Sequence, residues 1–193
     1  MYKAAYDDLP GSPLPLRLNE FLPDTQQIGR GVVVGQQGWE QVLENNKQAF
    51  AADFVGRRRF TAAYPTTLTP TEFVNALFAN AGVTPADAER EAAINEFGSA
   101  VLDTTNAAAR AQALRRVAEN STLAQQETNR AFVLMQYFGY LRRNPNDAPE
   151  AGLNFDGYNF WLNKLNQFNG NFVNAEMVKA FILSGKYRQR FGP

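Results

Sequence analysis

Thr69-Pro70-Thr71-Glu72-Phe73-Val74-Asn75-Ala76-Leu77-Phe78 is helix grammar from its first residue. Thr69 is suited to cap the helix. Pro70 falls at the first helical position, where its missing N–H costs nothing, and Glu72 completes a capping box. Phe73, Val74, Leu77 and Phe78 then recur at the three- and four-residue spacing of one helical face. Gly82 closes the stretch. Thr84-Pro85-Ala86-Asp87 opens another helix in the same way, carrying Ala88, Ala92, Ile94 and Phe97.

The same pattern extends in both directions. Toward the N-terminus, Pro65 ends a long helical stretch that starts after Gly38 and carries Trp39, Val42, Leu43, Ala49, Phe50, Phe54, Phe60 and Tyr64. Tyr2, Ala5, Tyr6 and Leu9 are at helical spacing, and Pro10-Gly11-Ser12-Pro13 stops them. Residues 10–38 read as an ordered loop with a short helix near Arg17–Leu22, and Val32-Val33-Val34 as a short extended piece. Toward the C-terminus, an Ala/Arg-rich helix is expected over 106–119 and a long one over 121–141. Turn chemistry fills Arg142–Gly157, a helix follows from Tyr158 to Phe168, and a last helix covers about Asn174–Ser184. The expectation is an all-α fold of about eight helices with negligible sheet.

Composition bounds the function. In 193 residues, 45% apolar and 12% aromatic content is ample for a core. Nineteen basic and nineteen acidic residues cancel, so no overall field attracts nucleic acid, and self-association costs little electrostatically. There is no Cys and no His. That excludes disulfides, thiolate zinc sites, Ser-His-Asp and Cys-His catalysis, and imidazole metal sites. No segment approaches the roughly 20 apolar residues that span a bilayer, so membrane insertion is not expected. Met1 is followed by Tyr-Lys-Ala-Ala-Tyr-Asp-Asp, which is no signal-peptide core. A piece of a longer exported precursor is the expected context.

A repeat runs through the chain. Phe181, Tyr187 and Phe191 are spaced six and four apart, as are Phe54, Phe60 and Tyr64, with basic residues between them in each set. Each set follows a tryptophan helix, at Trp161 or Trp39, and each unit opens with tyrosines, at Tyr137 and Tyr140 or at Tyr2 and Tyr6. Val117 and Leu123 repeat the six-residue step in between. The expected organisation is three diverged helical units, over residues 1–66, 67–128 and 129–193.

The last unit resembles a known family. Phe132-Val133-Leu134-Met135-Gln136-Tyr137-Phe138-Gly139-Tyr140-Leu141-Arg142-Arg143-Asn144-Pro145-Asn146-Asp147 is similar to its tyrosine helix and the Pro-Asp loop that follows. Gly157-Tyr158-Asn159-Phe160-Trp161-Leu162-Asn163-Lys164-Leu165 is similar to its Phe-Trp helix. Ala175-Glu176-Met177-Val178-Lys179-Ala180-Phe181-Ile182-Leu183-Ser184-Gly185-Lys186-Tyr187-Arg188 is similar to its closing helix. Together these stretches resemble the DUF4214 domain family. The whole chain looks like the C-terminal part of long exported acidobacterial proteins. Lys186 departs from the family's usual acidic residue, and an insertion over Asp147–Asp156 displaces the loop glycine. The resemblance implies a helical extracellular or cell-surface module, similar in fold to phycobilisome linker domains, with no catalytic residue to carry over.

The candidate sites are few. Asn144, Asn146, Asp147 and Asp156, with Glu150 and Asn154, are hard oxygen donors of the kind calcium takes. They lack EF-hand spacing, and caps and turns are the preferred account of them, with Asp156 as the natural N-cap of the Tyr158 helix. Arg57-Arg58-Arg59, Arg110, Arg115-Arg116 and Arg142-Arg143 read as helix-end and pairing residues. The glycines at 29, 31, 35 and 38 form a loop without a phosphate-loop ending. The Asn run from Asn159 to Asn174 suits a subunit contact or solvated turns. The chain is expected to be no enzyme but an interaction module with a protein partner, itself included. A calcium or ligand site and a carbohydrate-active cleft with two acids are the alternatives.

Overall fold

The computed structural model describes residues 1–100 and 102–192, and among these it is all-helical, with no strand. Eleven α-helices occur: α1 (Tyr2–Tyr6), α2 (Leu18–Ile28), α3 (Trp39–Gly56), α4 (Arg58–Ala63), α5 (Pro70–Ala81), α6 (Asp87–Ile94), α7 (Ala107–Ala118), α8 (Ser121–Gln136), α9 (Asp156–Gln167), α10 (Met177–Leu183) and α11 (Gly185–Phe191). The count exceeds the expected eight in part because the stretch from Trp39 to Tyr64, expected to be one helix, is broken into α3 and α4, and because α11 forms beyond Ser184, where the last helix is expected to end. Arg57 sits between α3 and α4 in extended backbone, φ −64° and ψ 142°, and Ser184 sits between α10 and α11 at φ −63° and ψ 144°. These residues fall at the same place in the two matched aromatic sets, three after Phe54 and three after Phe181.

Other differences have local causes. α2 runs on to Ile28 through Pro23, which the sequence would place at a helix end. Beyond that proline, Asp24 accepts hydrogen bonds from Arg57 and Tyr2, so tertiary contacts hold the extra turn. Val32 to Val34 form no strand; Val33 and Val34 are exposed, between Gly31 and Gly35 at positive φ. The last helices start at Met177 rather than Asn174, after Asn171 Oδ1 accepts the Val173 and Asn174 amides. α8 ends at Gln136, and Tyr137–Leu141 form a π-helical turn.

The helix opening at Thr69 is as expected. Thr69 Oγ1 accepts the Glu72 amide at 3.3 Å, and Glu72 accepts the Thr69 amide at 2.9 Å. α5 buries Phe73, Val74, Leu77 and Phe78 and closes at Gly82 with φ 66°, a left-handed conformation that glycine takes at no steric cost.

The chain forms two compact units, Met1–Leu123 and Ala124–Pro193. A core boundary near residue 66, as expected from the repeat, does not occur. Phe60 and Tyr64 pack on Phe73, and a single core runs from Ala4 to Leu123. In the first unit α1 packs on α5, α3 on α7, and α7 also meets α5 and α6. Burying one face of each helix in a shared core supplies most of such a unit's stability. The second unit buries Val133, Tyr137, Phe138, Tyr158, Leu165, Met177 and Phe181.

Candidate functional site

The two units repeat one constellation of rings. Tyr2 meets Phe54 edge-on, with centroids 5.1 Å apart at 85°; Tyr137 meets Phe181 at 5.2 Å and 80°. Tyr6 and Phe60 are 6.3 Å apart at 69°, and Tyr140 and Tyr187 6.0 Å apart at 73°. Phe60 and Tyr64 lie at 4.7 Å and 31°, and Tyr187 and Phe191 at 4.8 Å and 41°. Edge-to-face pairs at these distances add stabilisation beyond their area. The break residue fixes the geometry in both places, because it turns the second short helix back onto the opening tyrosines.

Each constellation carries a carboxylate held by arginine. In the first unit Arg57 donates to Asp24 through Nη1 at 3.0 Å and Nη2 at 2.8 Å, and its guanidinium lies 5.1 Å from the Phe54 ring centre. Tyr2 donates to Asp24 at 2.7 Å. Burial, then this hydrogen bond, raises the Tyr2 hydroxyl well above its ordinary pKa, and the bond to Asp24 raises Arg57. In the second unit Arg143 donates to Glu150 at 2.9 Å, Lys186 pairs with the same carboxylate at 3.3 Å, and Arg143 lies 5.2 Å from the Tyr137 ring centre. Burial, then the Glu150 charge, raises Tyr137. A Cβ at Gly157 would come within 2.7 Å of Glu150 Oε1 and 2.9 Å of the Tyr137 hydroxyl, so a larger residue there would push these two side-chain ends aside.

Both constellations border clefts. One of about 390 Å³ is lined by Tyr2, Phe21, Asp24, Phe50, Arg115 and Glu119 among others. One of about 560 Å³ is lined by Tyr137, Arg143, Glu150, Trp161, Phe181 and Lys186 among others. The acids in these clefts are ion-paired: Asp24 to Arg57, Glu119 to Arg115 and Glu150 to Arg143.

The two constellations differ in their cover. In the first unit Phe73 of α5 packs on Phe60 at 6.0 Å and on Tyr64 at 5.2 Å. Arg110 of α7 is buried against them, 5.3 Å from the Phe60 ring centre and 4.9 Å from that of Phe73. It donates to the Tyr64 carbonyl at 2.6 Å and to Thr104 Oγ1 at 3.0 Å. Phe60 is 0% exposed and Tyr64 3%. In the second unit Tyr187 is half-buried and Phe191 is 55% exposed, and Ile182 and Leu183 of α10 are exposed too. Arg188 and Arg190, which precede Phe191 in α11, are exposed as well. This open, basic, aromatic face is the candidate functional surface.

The residues considered for calcium sit in turns. Asp147 Oδ2 accepts the Asn144 amide at 3.0 Å and the Asn144 side chain at 2.9 Å. Asp156 Oδ2 accepts from the Asn154 side chain at 2.7 Å, and Asn154 Oδ1 accepts the Asp156 amide. Asn154 therefore does the side-chain capping, and Asp156 is the first helical residue instead of the cap. Asn146 Oδ1 is buried without a hydrogen-bond partner. Among the described residues no cluster of three acidic side chains that could hold a metal occurs.

Most of the arginines are in ion pairs or hydrogen bonds within their own unit. Arg115 pairs with Glu44 and Glu119, Arg116 with Glu96, and Arg59 with Glu20. Arg110 is buried among carbonyls and rings, a role its place in an Ala-rich helix did not reveal. The Asn run is exposed throughout; within it Asn166 accepts from Asn129 at 2.8 Å, and Asn171 accepts the Val173 and Asn174 amides. Among the described residues no helix is long and apolar enough to cross a membrane. Compared with known proteins, the chain matches no family model, no curated protein and no solved structure.

Proposed function

We propose that the chain is a non-enzymatic structural and interaction module that acts by protein–protein association, its own copies included. The observation that carries this reading is the open face on α11. The same ring constellation is covered by α5 and α7 in the first unit and left to solvent in the second. An exposed phenylalanine beside a half-buried tyrosine and two exposed arginines has the composition of a protein contact surface. The ion-paired acids of the clefts also fit a structural role better than acid–base chemistry.

The three-unit reading belongs to the same proposal. A buried residue, a helix break and a second packed residue recur at 54, 57 and 60, at 117, 120 and 123, and at 181, 184 and 187. Asn120 Oδ1 accepts the Leu123 amide as Ser184 Oγ accepts the Tyr187 amide. These parallels support diverged copies, two of them merged into one core. The resemblance of the last unit to the DUF4214 family supports placing the module outside the cell, in a longer exported protein.

Sedimentation velocity and light scattering of the purified chain test the central reading. Mass is expected to rise with concentration, and electron microscopy to find assemblies. A strict monomer at high concentration that binds no partner contradicts it.

A further inference from the structure

We propose that the open Tyr187–Phe191 face docks on the first unit of a second copy, along its acidic helix α6, so that copies join head to tail. This rests on the self-association reading and names the surfaces that meet.

Charge selects the occupant. The chain is neutral only as a whole. Met1–Leu123 holds eleven basic and fourteen acidic residues, and Ala124–Pro193 eight and five, giving −3 and +3. α11 has the sequence Gly-Lys-Tyr-Arg-Gln-Arg-Phe, with no acid. Lys186 is paired with Glu150, and Arg190 donates to the Leu141 carbonyl at 2.7 Å. Arg188 has no carboxylate partner among the described residues. Pairing α11 with its own copy would set these cations against each other, whereas an acidic partner compensates them.

The first unit offers such a partner. α6 exposes Asp87, Glu89 and Glu91. Beside it lies a groove of about 470 Å³ lined by Phe78, Ala88 and Ala92, by Glu89 and Glu119, and by Arg116, which is paired with Glu96. An apolar groove beside a helix that exposes three carboxylates suits an exposed phenylalanine preceded by two exposed arginines. The precedent is internal: Phe73 on α5 and Arg110 on α7 cover the equivalent rings of the first unit, so this ring cluster accepts aromatic and helical cover. A contact between unlike surfaces is heterologous, and where it does not close into a ring it propagates as an open chain.

Charge reversal tests the docking. Sedimentation velocity is run on the full chain, on an R188E/R190E variant and on a D87K/E91K variant. The wild-type chain is expected to associate and to weaken with salt, and each variant alone to associate at least about tenfold more weakly. Mixing the two variants is expected to restore assembly, since each then meets an opposite charge. Arg188→Glu alone, at an exposed position, serves if the Arg190 change disturbs α11. If the wild type assembles and both variants assemble equally well, the docking is wrong and the association reading stands. If the wild type is monomeric throughout, both fall. If α11 is instead covered within a monomer by its own first unit, sedimentation becomes salt-dependent without any change in mass, and the docking is overturned.

Discussion

Phe60 and Tyr187 occupy the same place in two helix–break–helix elements, with the same ring neighbours at nearly the same angles. One is completely buried and the other half open. The difference lies in the helices packed over each element. Beyond Tyr64, α5 and α7 close over the rings of the first unit; among the described residues of the second unit, no helix covers Phe191 in the same way. The second unit also holds all three buried polar atoms without a partner among the described residues, Gln136 Oε1, Arg143 Nε and Asn146 Oδ1. A finished core and an unfinished one, built on the same ring cluster, therefore sit in one molecule. The unfinished one is where binding free energy is left to gain.

The largest expected effect separates the two rings. Phe60→Ala opens a cavity among Tyr6, Phe54, Tyr64 and Phe73, at a cost of about 3–5 kcal/mol. Tyr187→Ala, at the equivalent half-open position, costs about 1–2 kcal/mol. The chain has two tryptophans, Trp39 in the first unit and Trp161 in the second. Denaturant unfolding of single-tryptophan variants therefore reads each unit separately. Equal losses at the two sites would break the comparison.

Arg110→Met comes next. It keeps volume but leaves the Tyr64 carbonyl and Thr104 without their donor, at a cost of about 2–3 kcal/mol to the first unit only. Burial depresses the Arg110 pKa, and no carboxylate offsets this. Arg110→Lys is expected to rescue little, because an ammonium cannot reproduce the planar fork.

Alkali should act on both units. Burial pushes Tyr6 and Tyr64 up to about 12 and raises Tyr2 and Tyr137 further. Their unfolded hydroxyls ionise near 10, so the unfolded chain loses protons first. The stability held below pH 10 then falls as pH rises toward 12. Ultraviolet titration should show these four tyrosines ionising late, with unfolding at the same pH; ordinary ionisation near pH 10 would contradict their burial. Calcium sets the smallest expectation. With Asp147 and Asp156 already engaged in turn hydrogen bonds, adding calcium or chelator should leave the melting midpoint of the second unit unchanged. A rise with calcium would assign the Asn144–Asp156 loop a cation.

Much of this was legible in the sequence. Thr69, Pro70 and Glu72 announced α5 because capping is local chemistry, and the six-and-four spacing of Phe54, Phe60 and Tyr64 marked the repeated element. The break at Arg57 was not legible, because Arg-Arg-Arg carries no stop signal and the backbone turn is imposed by the ring packing on either side. Asp24 went unnoticed because its partner lies 33 residues away and Pro23 argued for a helix end. The open face was invisible for a related reason: Phe191 looks as apolar as Tyr64 until α5 and α7 are placed over Tyr64 and the exposure of Phe191 is seen.

Hydrogen exchange by mass spectrometry, on the full chain at low and high concentration, tests the contrast most directly. It compares α4 (Arg58–Ala63) with α11 (Gly185–Phe191). The prediction is that α4 is protected at both concentrations, whereas α11 exchanges quickly when dilute and slows as concentration rises. If α11 is as protected as α4 in dilute solution, or shows no dependence on concentration, the second unit does not present an open docking surface.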